Sequence, residues 1–295
     1  MTVVSLQTPA PLKPRLTEAR AALTRTVQVC NEFGQRSHAR IPAERALTLY
    51  LDKRELVTLM TLGAQPEWLV LGFLRNQRLI DSVEQIESVT VDWSLGEGEI
   101  GEPGVAAVKT RPGAQVALRR SADRVVTTGC GQGSVFGDLM ADMDDIALPQ
   151  AHITQAQLYG LVNAIRLQET TYKSSGSVHG CALFQGEQML MFVEDVGRHN
   201  AVDTIAGWMW MNDVPGHDKV FYTTGRMTSE MVIKSAQMGV PIVVSRSGIT
   251  QMGLEVAQRV GLCTIGRAMN RRFLCFSAPE RLHWQPELAG TPGDA

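Results

Sequence analysis

The second half of the chain alternates short apolar segments with segments of helical periodicity. Thr154 and Gln157 form a capping-box pair that begins the first helix of this half. Strands joined by helices of such length require right-handed crossovers, so we expect a largely parallel sheet that helices cover on both faces. The expected helices span 155–169, 200–211, 228–238 and 250–260, and the expected strands span 182–195 (as a hairpin), 219–223, 240–245 and 262–266.

The segments that leave these strands carry arginines. Ligands bind beyond the carboxyl ends of the strands in sheets of this class. A guanidinium group is permanently charged and can bind a phosphate through two hydrogen bonds, so the pattern predicts a cationic crevice for a phosphorylated ligand. For any single arginine, the alternative is a solvated charge paired with Glu230 or Asp203. The segments are 224–226, 246–248 and 267–272.

The run from Glu194 to Asp203 places acidic, guanidinium, imidazole and carboxamide groups in one strand-to-helix turn. Its helix is expected to begin near Gly197, where unpaired backbone N–H groups and the helix dipole favour an anion. Arg198 and His199 would add donors to that anion site. The alternative is an ordinary capped turn with a salt bridge.

A second candidate is Cys130, which lies among the glycines at 129, 131 and 133. Glycine allows positive φ angles and close approach of a partner, and successive N–H groups in such a loop can stabilise an anion. These properties favour a reactive thiolate. The alternative is a small residue in a tight glycine turn. Cys263 and Cys275 lie in apolar strand patterns and are expected to be inert, and a buried strand position is favoured for Cys181 over a secondary thiol role.

The first half is expected to form a smaller α+β domain over 45–125, with a strand hairpin around 52–54, a helix from Pro66, and strands at 88–93 and 115–118. The expected organisation is a loosely ordered extension (1–44), this domain, a glycine-rich cysteine loop and linker (126–153), an α/β domain (154–282) and a flexible tail (283–295).

Composition excludes several classes of protein. A net charge of −2 gives no general attraction to nucleic acid or to an anionic membrane. The five cysteines are scattered, odd in number and without a C-x-x-C pair, which argues against a disulfide framework and a structural zinc site. No signal peptide or apolar span is recognisable, so we expect a cytoplasmic protein without a resident metal.

Several motifs occur together in this order: Leu71–Leu74, Thr128–Gly131, Ser175–His179, Glu194–Asp203, Gly225-Arg226 with Ser229–Lys234, Gly266–Phe273 and Pro279–Arg281. With them, the chain resembles the FdhD family, sulfur carriers required for formate dehydrogenase activity, over residues 45–282. The resemblance implies a cytidine-deaminase-like three-layer core without zinc, preceded by the smaller α+β domain, and a homodimer.

The resemblance also implies a reaction. Cys130 would accept sulfur from a cysteine desulfurase as a persulfide and pass it to the bis-molybdopterin guanine dinucleotide molybdenum cofactor before that cofactor enters formate dehydrogenase. GDP or a similar guanine nucleotide would serve as a surrogate ligand. The residues expected to bind the cofactor are Arg267, Ala268, Met269, Asn270, Arg271, Arg272, His199, Gly225 and Arg226.

The chain departs from the family pattern near the reactive thiol. Gly133 stands where a second cysteine is usual, so release of sulfide by disulfide formation is closed unless Cys181 or another thiol reaches Cys130. Direct transfer from a single persulfide stays open. A non-catalytic chaperone that binds the molybdenum cofactor for formate dehydrogenase is the alternative function.

Overall fold

The computed structural model describes residues 12–93, 103–117, 125–126, 146–168 and 170–289. Cys130 and the rest of the glycine-rich loop up to residue 145 lie outside the described residues. None of the helices in the described ranges is both long enough and apolar enough to cross a bilayer.

The described residues form sixteen strands and six α-helices. The strands are β1 (Arg15–Leu16), β2 (Thr24–Cys30), β3 (Arg36–Pro42), β4 (Arg45–Leu51), β5 (Arg54–Thr61), β6 (Ile86–Asp92), β7 (Gly104–Thr110), β8 (Val125–Val126), β9 (Ile153–Thr154), β10 (His179–Gln185), β11 (Gln188–Asp195), β12 (Lys219–Thr223), β13 (Ile242–Ser245), β14 (Cys263–Met269), β15 (Arg272–Ser277) and β16 (Leu282–His283). The helices are α1 (Pro66–Asn76), α2 (Gln155–Leu167), α3 (Thr171–Ser175), α4 (Arg198–Met211), α5 (Ser229–Gln237) and α6 (Gln251–Val260).

The first sheet has the strand order β1-β6-β7-β4-β5-β8, and the apolar face of α1 packs on it. The expected hairpin around residues 52–54 and the helix from Pro66 are confirmed. The expected strand at 115–118 is wrong: the described residues 115–117 form no strand, and Gly104–Thr110 pairs with β4 and β6 instead.

The second sheet has the order β11-β10-β12-β13-β14-β15. Only β12, β13 and β14 are mutually parallel, because β10 and β11 form a hairpin that joins β12 antiparallel and β15 returns antiparallel to β14. The sheet is therefore mixed, and the expectation of a largely parallel sheet is wrong. The two edge pairs, β10–β11 and β14–β15, are antiparallel because a tight turn joins each pair. A tight turn reverses the direction of the chain, whereas a crossover helix does not.

Helices cover both faces of the second sheet, as expected. One face packs on α4, α5 and α6, and the other packs on α2. Helix α4 also packs against α1, and two glycines bring these backbones together: a Cβ on Gly72 would lie 1.6 Å from the Asp203 carbonyl oxygen, and one on Gly207 would lie 1.9 Å from the Trp68 oxygen. The protein is a mixed α/β structure, and the cytidine-deaminase likeness stays a prediction.

Both termini carry more structure than their composition indicates. Strands β2 and β3 form a separate hairpin, and β1 joins the first sheet. At the other end, β16 pairs with β9, Trp284 stacks on Phe273, and the Gln285 N–H donates to Gln155 Oε1 at 3.0 Å. The described parts of the extension and of the tail thus form secondary structure, while the expected organisation into these segments stays a prediction.

Candidate functional site

The loops that follow the three parallel strands are joined by hydrogen bonds at one edge of the second sheet. The Arg246 N–H donates to the Thr223 carbonyl at 3.0 Å, and Ser245 Oγ donates to the Gly225 carbonyl at 2.7 Å. The Arg267 N–H then donates to the Ser247 carbonyl at 2.7 Å. Because these bonds link consecutive strand ends, the expected convergence of the arginine-bearing segments is confirmed.

The segment 267–272 is part of a hairpin rather than a loop. Its first residues continue β14, Arg272 begins β15, and Tyr159 of α2 donates to the Arg271 carbonyl at 3.0 Å. Arg267 and Asn270 adopt positive φ angles of 52° and 55°, which turn the chain at a bulge and at the hairpin tip. The three arginines of this segment are exposed, whereas Ala268 is buried.

A cavity of about 560 Å³ lies between α2, α3 and the second sheet. Of the residues expected to bind the cofactor, it contains Ala268, Met269 and Asn270. Arg267, Arg271, Arg272, His199, Gly225 and Arg226 do not line it. The other lining residues are Val162, Ile165, Arg166, Thr170, Tyr172, Lys173, Val178, His179, Gly180, Phe192, Glu194, Tyr222, Thr224 and Arg246.

Glu194 holds one wall of this cavity in place. Its carboxylate accepts the N–H groups of Thr171 at 2.5 Å and Tyr172 at 3.1 Å, while Thr170 Oγ1 accepts the Lys173 N–H at 3.0 Å. These acceptors satisfy the N-terminal N–H groups of α3. Glu194 therefore fixes the short helix over the cavity.

The other acidic residues of the 194–203 run link elements inside the protein. Asp195 accepts hydrogen bonds from Thr61 Oγ1 (2.5 Å), the Leu62 N–H (2.9 Å), the Gly197 N–H (3.0 Å) and Asn200 Nδ2 (2.9 Å). Burial raises the pKa of Asp195, although these four bonds act against the rise. No side chain caps the N-terminus of α4 among the described residues, and Asp195 instead ties the start of this helix to the first sheet.

Asp203 lies in a buried ionic cluster with α5. It accepts Lys234 Nζ at 2.8 Å and Asn76 Nδ2 at 2.7 Å, and Lys234 also lies 3.5 Å from Glu230 Oε1. Burial acts to lower the pKa of Lys234, but Asp203 and Glu230 outweigh burial and raise it. Lys234 is thus a fully buried cation with two acidic neighbours.

His199 points into this cluster and away from the cavity. Its Nε2 lies 3.4 Å from Glu230 Oε2 but forms no hydrogen bond among the described residues. Burial, followed by the charges of Lys234 and Arg198, lowers the pKa of His199 to about 2. The imidazole is therefore neutral, so it is a poor phosphate-binding group where it lies.

Arg198 and His179 lie close enough together for the charge of Arg198 to act on the imidazole. Arg198 was expected to add donors near the helix terminus, whereas His179 was noted as part of a motif without a role. Burial lowers the pKa of His179, and the charges of Arg198 and Arg226 lower it further. His179 begins β10 and pairs with Asp195 of β11, a register that the sequence alone did not indicate.

Among the described cysteines, two are fully buried. Burial raises the pKa of the Cys181 thiol to about 12, and its Sγ lies 3.4 Å from Thr223 Oγ1. Cys263 is also inaccessible, with a raised pKa caused by its contact with Cys275 and by burial. The expectation of buried strand positions is confirmed for both. Cys275 was expected, like Cys263, to be a core thiol, and this is wrong, because it is only partly buried on β15; Cys30 is exposed on β2.

The fold and cavity define an α/β protein with a candidate ligand site at the carboxyl ends of parallel strands. Residues 42–283 match the FdhD/NarQ family, and the chain belongs to that family. Proteins named sulfur carrier protein FdhD are similar to it: that of Halalkalibacterium halodurans is 29% identical, covering 90% of this chain and 97% of that protein. The sulfur carrier protein FdhD of Bacillus subtilis is 30% identical, covering 82% of this chain and 90% of that protein.

A solved structure agrees with the described fold. The crystal structure of a candidate formate dehydrogenase accessory protein from Desulfotalea psychrophila superposes with a TM-score of 0.69. It is 25% identical and covers 88% of this chain and 98% of that one. Because the superposition covers most of both chains, the α/β arrangement is common to the two proteins.

Proposed function

We propose that this protein carries sulfur for formate dehydrogenase maturation, as a Cys130 persulfide loaded by a cysteine desulfurase. The observation that carries the proposal is the match, over nearly the whole chain, to relatives named as sulfur carriers. Among the thiols, Cys130 is chosen because it lies in the glycine-rich loop, whereas the exposed Cys30 and the partly exposed Cys275 have no such setting. A persulfide carrier needs an accessible thiolate, and burial removes Cys181 and Cys263 from consideration.

We propose the molybdenum cofactor with its two guanine dinucleotide arms as the acceptor substrate, with the cavity as the seat of one heterocycle. The cavity has an apolar floor that includes Val178, Phe192 and Tyr222. Around it are Arg246 and Asn270, a cation and a carboxamide that can bind the edge of a base or a phosphate. Bound GDP would test this part of the proposal.

The transfer step needs little from the protein beyond positioning. The S–S bond of the persulfide anion breaks, and Cys130 keeps the bonding electron pair as its thiolate. The outer sulfur, formally neutral, would bond to the metal of the acceptor substrate, which would supply the two electrons that reduce it to sulfide. No second thiol is required for this route. Gly133 therefore does not prevent it.

The test is intact-mass analysis after incubation with a cysteine desulfurase and free cysteine. The wild-type protein should gain the mass of one sulfur atom, and Cys130→Ala should gain none. Cys181→Ala is the matched control, since a buried thiol cannot be loaded and its loss should leave the gain intact. If the wild-type protein gains no sulfur, the carrier proposal is wrong.

A chaperone that binds the cofactor without transferring sulfur is the second candidate, and Gly133 in place of a second cysteine favours it. The two functions differ in cells that depend on this protein for formate dehydrogenase activity. A carrier loses that activity with Cys130→Ala, whereas a chaperone keeps it. Partnership with the desulfurase and a homodimer stay predictions, as does the cytoplasmic location.

A further inference from the structure

The Arg198 side chain is buried without a hydrogen-bond partner for its Nε. The residue is 9% exposed, and Nε is inaccessible and unpaired among the described residues. A buried N–H without an acceptor is costly, because it loses hydration and gains no hydrogen bond in return. A guanidinium in this state is prepared for an anionic partner.

Neighbouring groups add to the positive potential around Arg198. Gly225 leaves room for the side chain, since a Cβ at that position would lie 2.8 Å from Arg198 Cδ. The charge of Arg226 lowers the pKa of Arg198, after burial, and both arginines act on His179. His179 also lines the cavity. The Thr224 N–H donates to the Gly180 carbonyl at 2.9 Å, so the loop that carries Arg226 lies beside the strand that carries His179. Three groups capable of positive charge therefore lie next to the cavity.

The opposing charges in this region are already engaged or few. Glu230 of α5 lies close enough to raise the pKa of Arg198, but its carboxylate also contacts Lys234 and His199. Asp195 has four hydrogen-bond donors of its own. Cys181 of β10 is buried as a neutral thiol. Glu194 also lines the cavity, where its carboxylate accepts the N–H groups of Thr171 and Tyr172, and Arg166, Lys173 and Arg246 line the same cavity. The excess charge near His179 is thus positive.

We propose that Arg198, His179 and Arg226 bind a tetrahedral oxyanion, the phosphoryl group of a ligand whose remaining atoms occupy the adjoining cavity. This assignment deepens the proposed function and rests on it for the identity of the natural ligand. It moves the phosphate from the exposed arginines of 267–272 to a guanidinium that burial has already desolvated. Charge-assisted hydrogen bonds are stronger in such a setting than at the surface.

The proposal includes proton uptake at His179. Without an anion, burial and the two arginines keep its imidazole neutral. A dianion between these groups cancels the repulsion from Arg198 and Arg226, and a protonated His179 then donates to it. His199, Lys234 and Glu230 border the same region but already contact one another, so His179 is the group that changes state. Binding should tighten as the pH falls.

The first experiment titrates the full chain with inorganic pyrophosphate by calorimetry. Arg198→Gln should weaken binding by about tenfold or more, as expected for loss of a charged donor. Arg226→Gln should weaken it as well, and being exposed it serves if Arg198→Gln fails to fold. Arg54→Gln, an exposed arginine of β5, is the matched control and should bind like wild type. Equal affinity in wild type and Arg226→Gln, or no binding by wild type, overturns the site.

The second experiment uses sulfate, which stays dianionic between about pH 6 and about pH 8 and so isolates protein titration. Wild-type affinity should rise as pH falls, by up to about tenfold per unit where one proton is taken up, and His179→Gln should abolish the dependence. The same pH dependence in both proteins overturns the role of His179. Sulfur loading of Cys130 is measured separately, so a failed anion site and a failed carrier function give different results.

Discussion

The free energy of unfolding should decrease in acid, because His199 is neutral in the folded protein. Unfolding restores its ordinary pKa of 6.5, whereas folding lowers the pKa to about 2. Below pH 6.5 the unfolded chain binds a proton that the folded protein does not, so folding stability is complete above 6.5 and decreases as pH falls through it. The decrease continues until the folded-state pKa is reached.

The size of this decrease follows from how far the pH lies below the pKa of His199 in the unfolded chain. Each pH unit contributes about 1.36 kcal/mol, so the stretch from 6.5 down to about pH 5 removes about 2 kcal/mol of the free energy of unfolding. The predicted loss of unfolding free energy depends only on the pKa of His199 in the unfolded chain, as long as its pKa in the folded protein lies below the lowest pH used. His179 adds a loss in the same direction, because its pKa is also lowered.

Urea denaturation of wild type and His199→Gln at about pH 7, 6 and 5 measures this directly. Glutamine does not titrate, so the variant should lose less stability on acidification. The free energy of unfolding of wild type minus that of the variant should fall by about 2 kcal/mol between about pH 7 and about pH 5. His38→Gln, at an exposed position of β3, is the control and should follow wild type. Parallel pH curves for wild type and His199→Gln would show that the imidazole is not kept neutral by folding.

Further predictions concern the interior contacts. Gly72→Ala should destabilise the protein by about 3 kcal/mol or more, because the methyl group meets the Asp203 backbone, and thermal melting should separate it from the control Gly248→Ala, which has open space. Wild-type-like melting of Gly72→Ala would mean that α1 and α4 are not in contact there. Lys234→Met should cost about 3–5 kcal/mol in urea denaturation, since it leaves two buried carboxylates without their cation. An unchanged midpoint would show that the cluster is hydrated.

The family and many local elements were readable in the sequence. The Thr154 and Gln157 capping box marks the start of α2 correctly, and Pro66 marks the start of α1. The hairpin expected over 182–195, formed by β10 and β11, and the strand over Lys219–Thr223 follow from their apolar patterns. Such signals depend on neighbouring residues, and so they survive without any knowledge of the rest of the fold.

Tertiary structure decided the roles of the polar residues. In the sequence, the run from Glu194 to Asp203 suggests a single reactive site, but its carboxylates are used by partners that lie far away along the chain, such as Thr61 and Lys234. His199 was expected to bind phosphate, yet burial beside Lys234 makes it neutral. Tertiary packing also places His179 in the wall of the cavity. The charge state and accessibility of a side chain depend on the dielectric and on the groups that packing brings within a few ångströms, and local sequence does not encode those contacts.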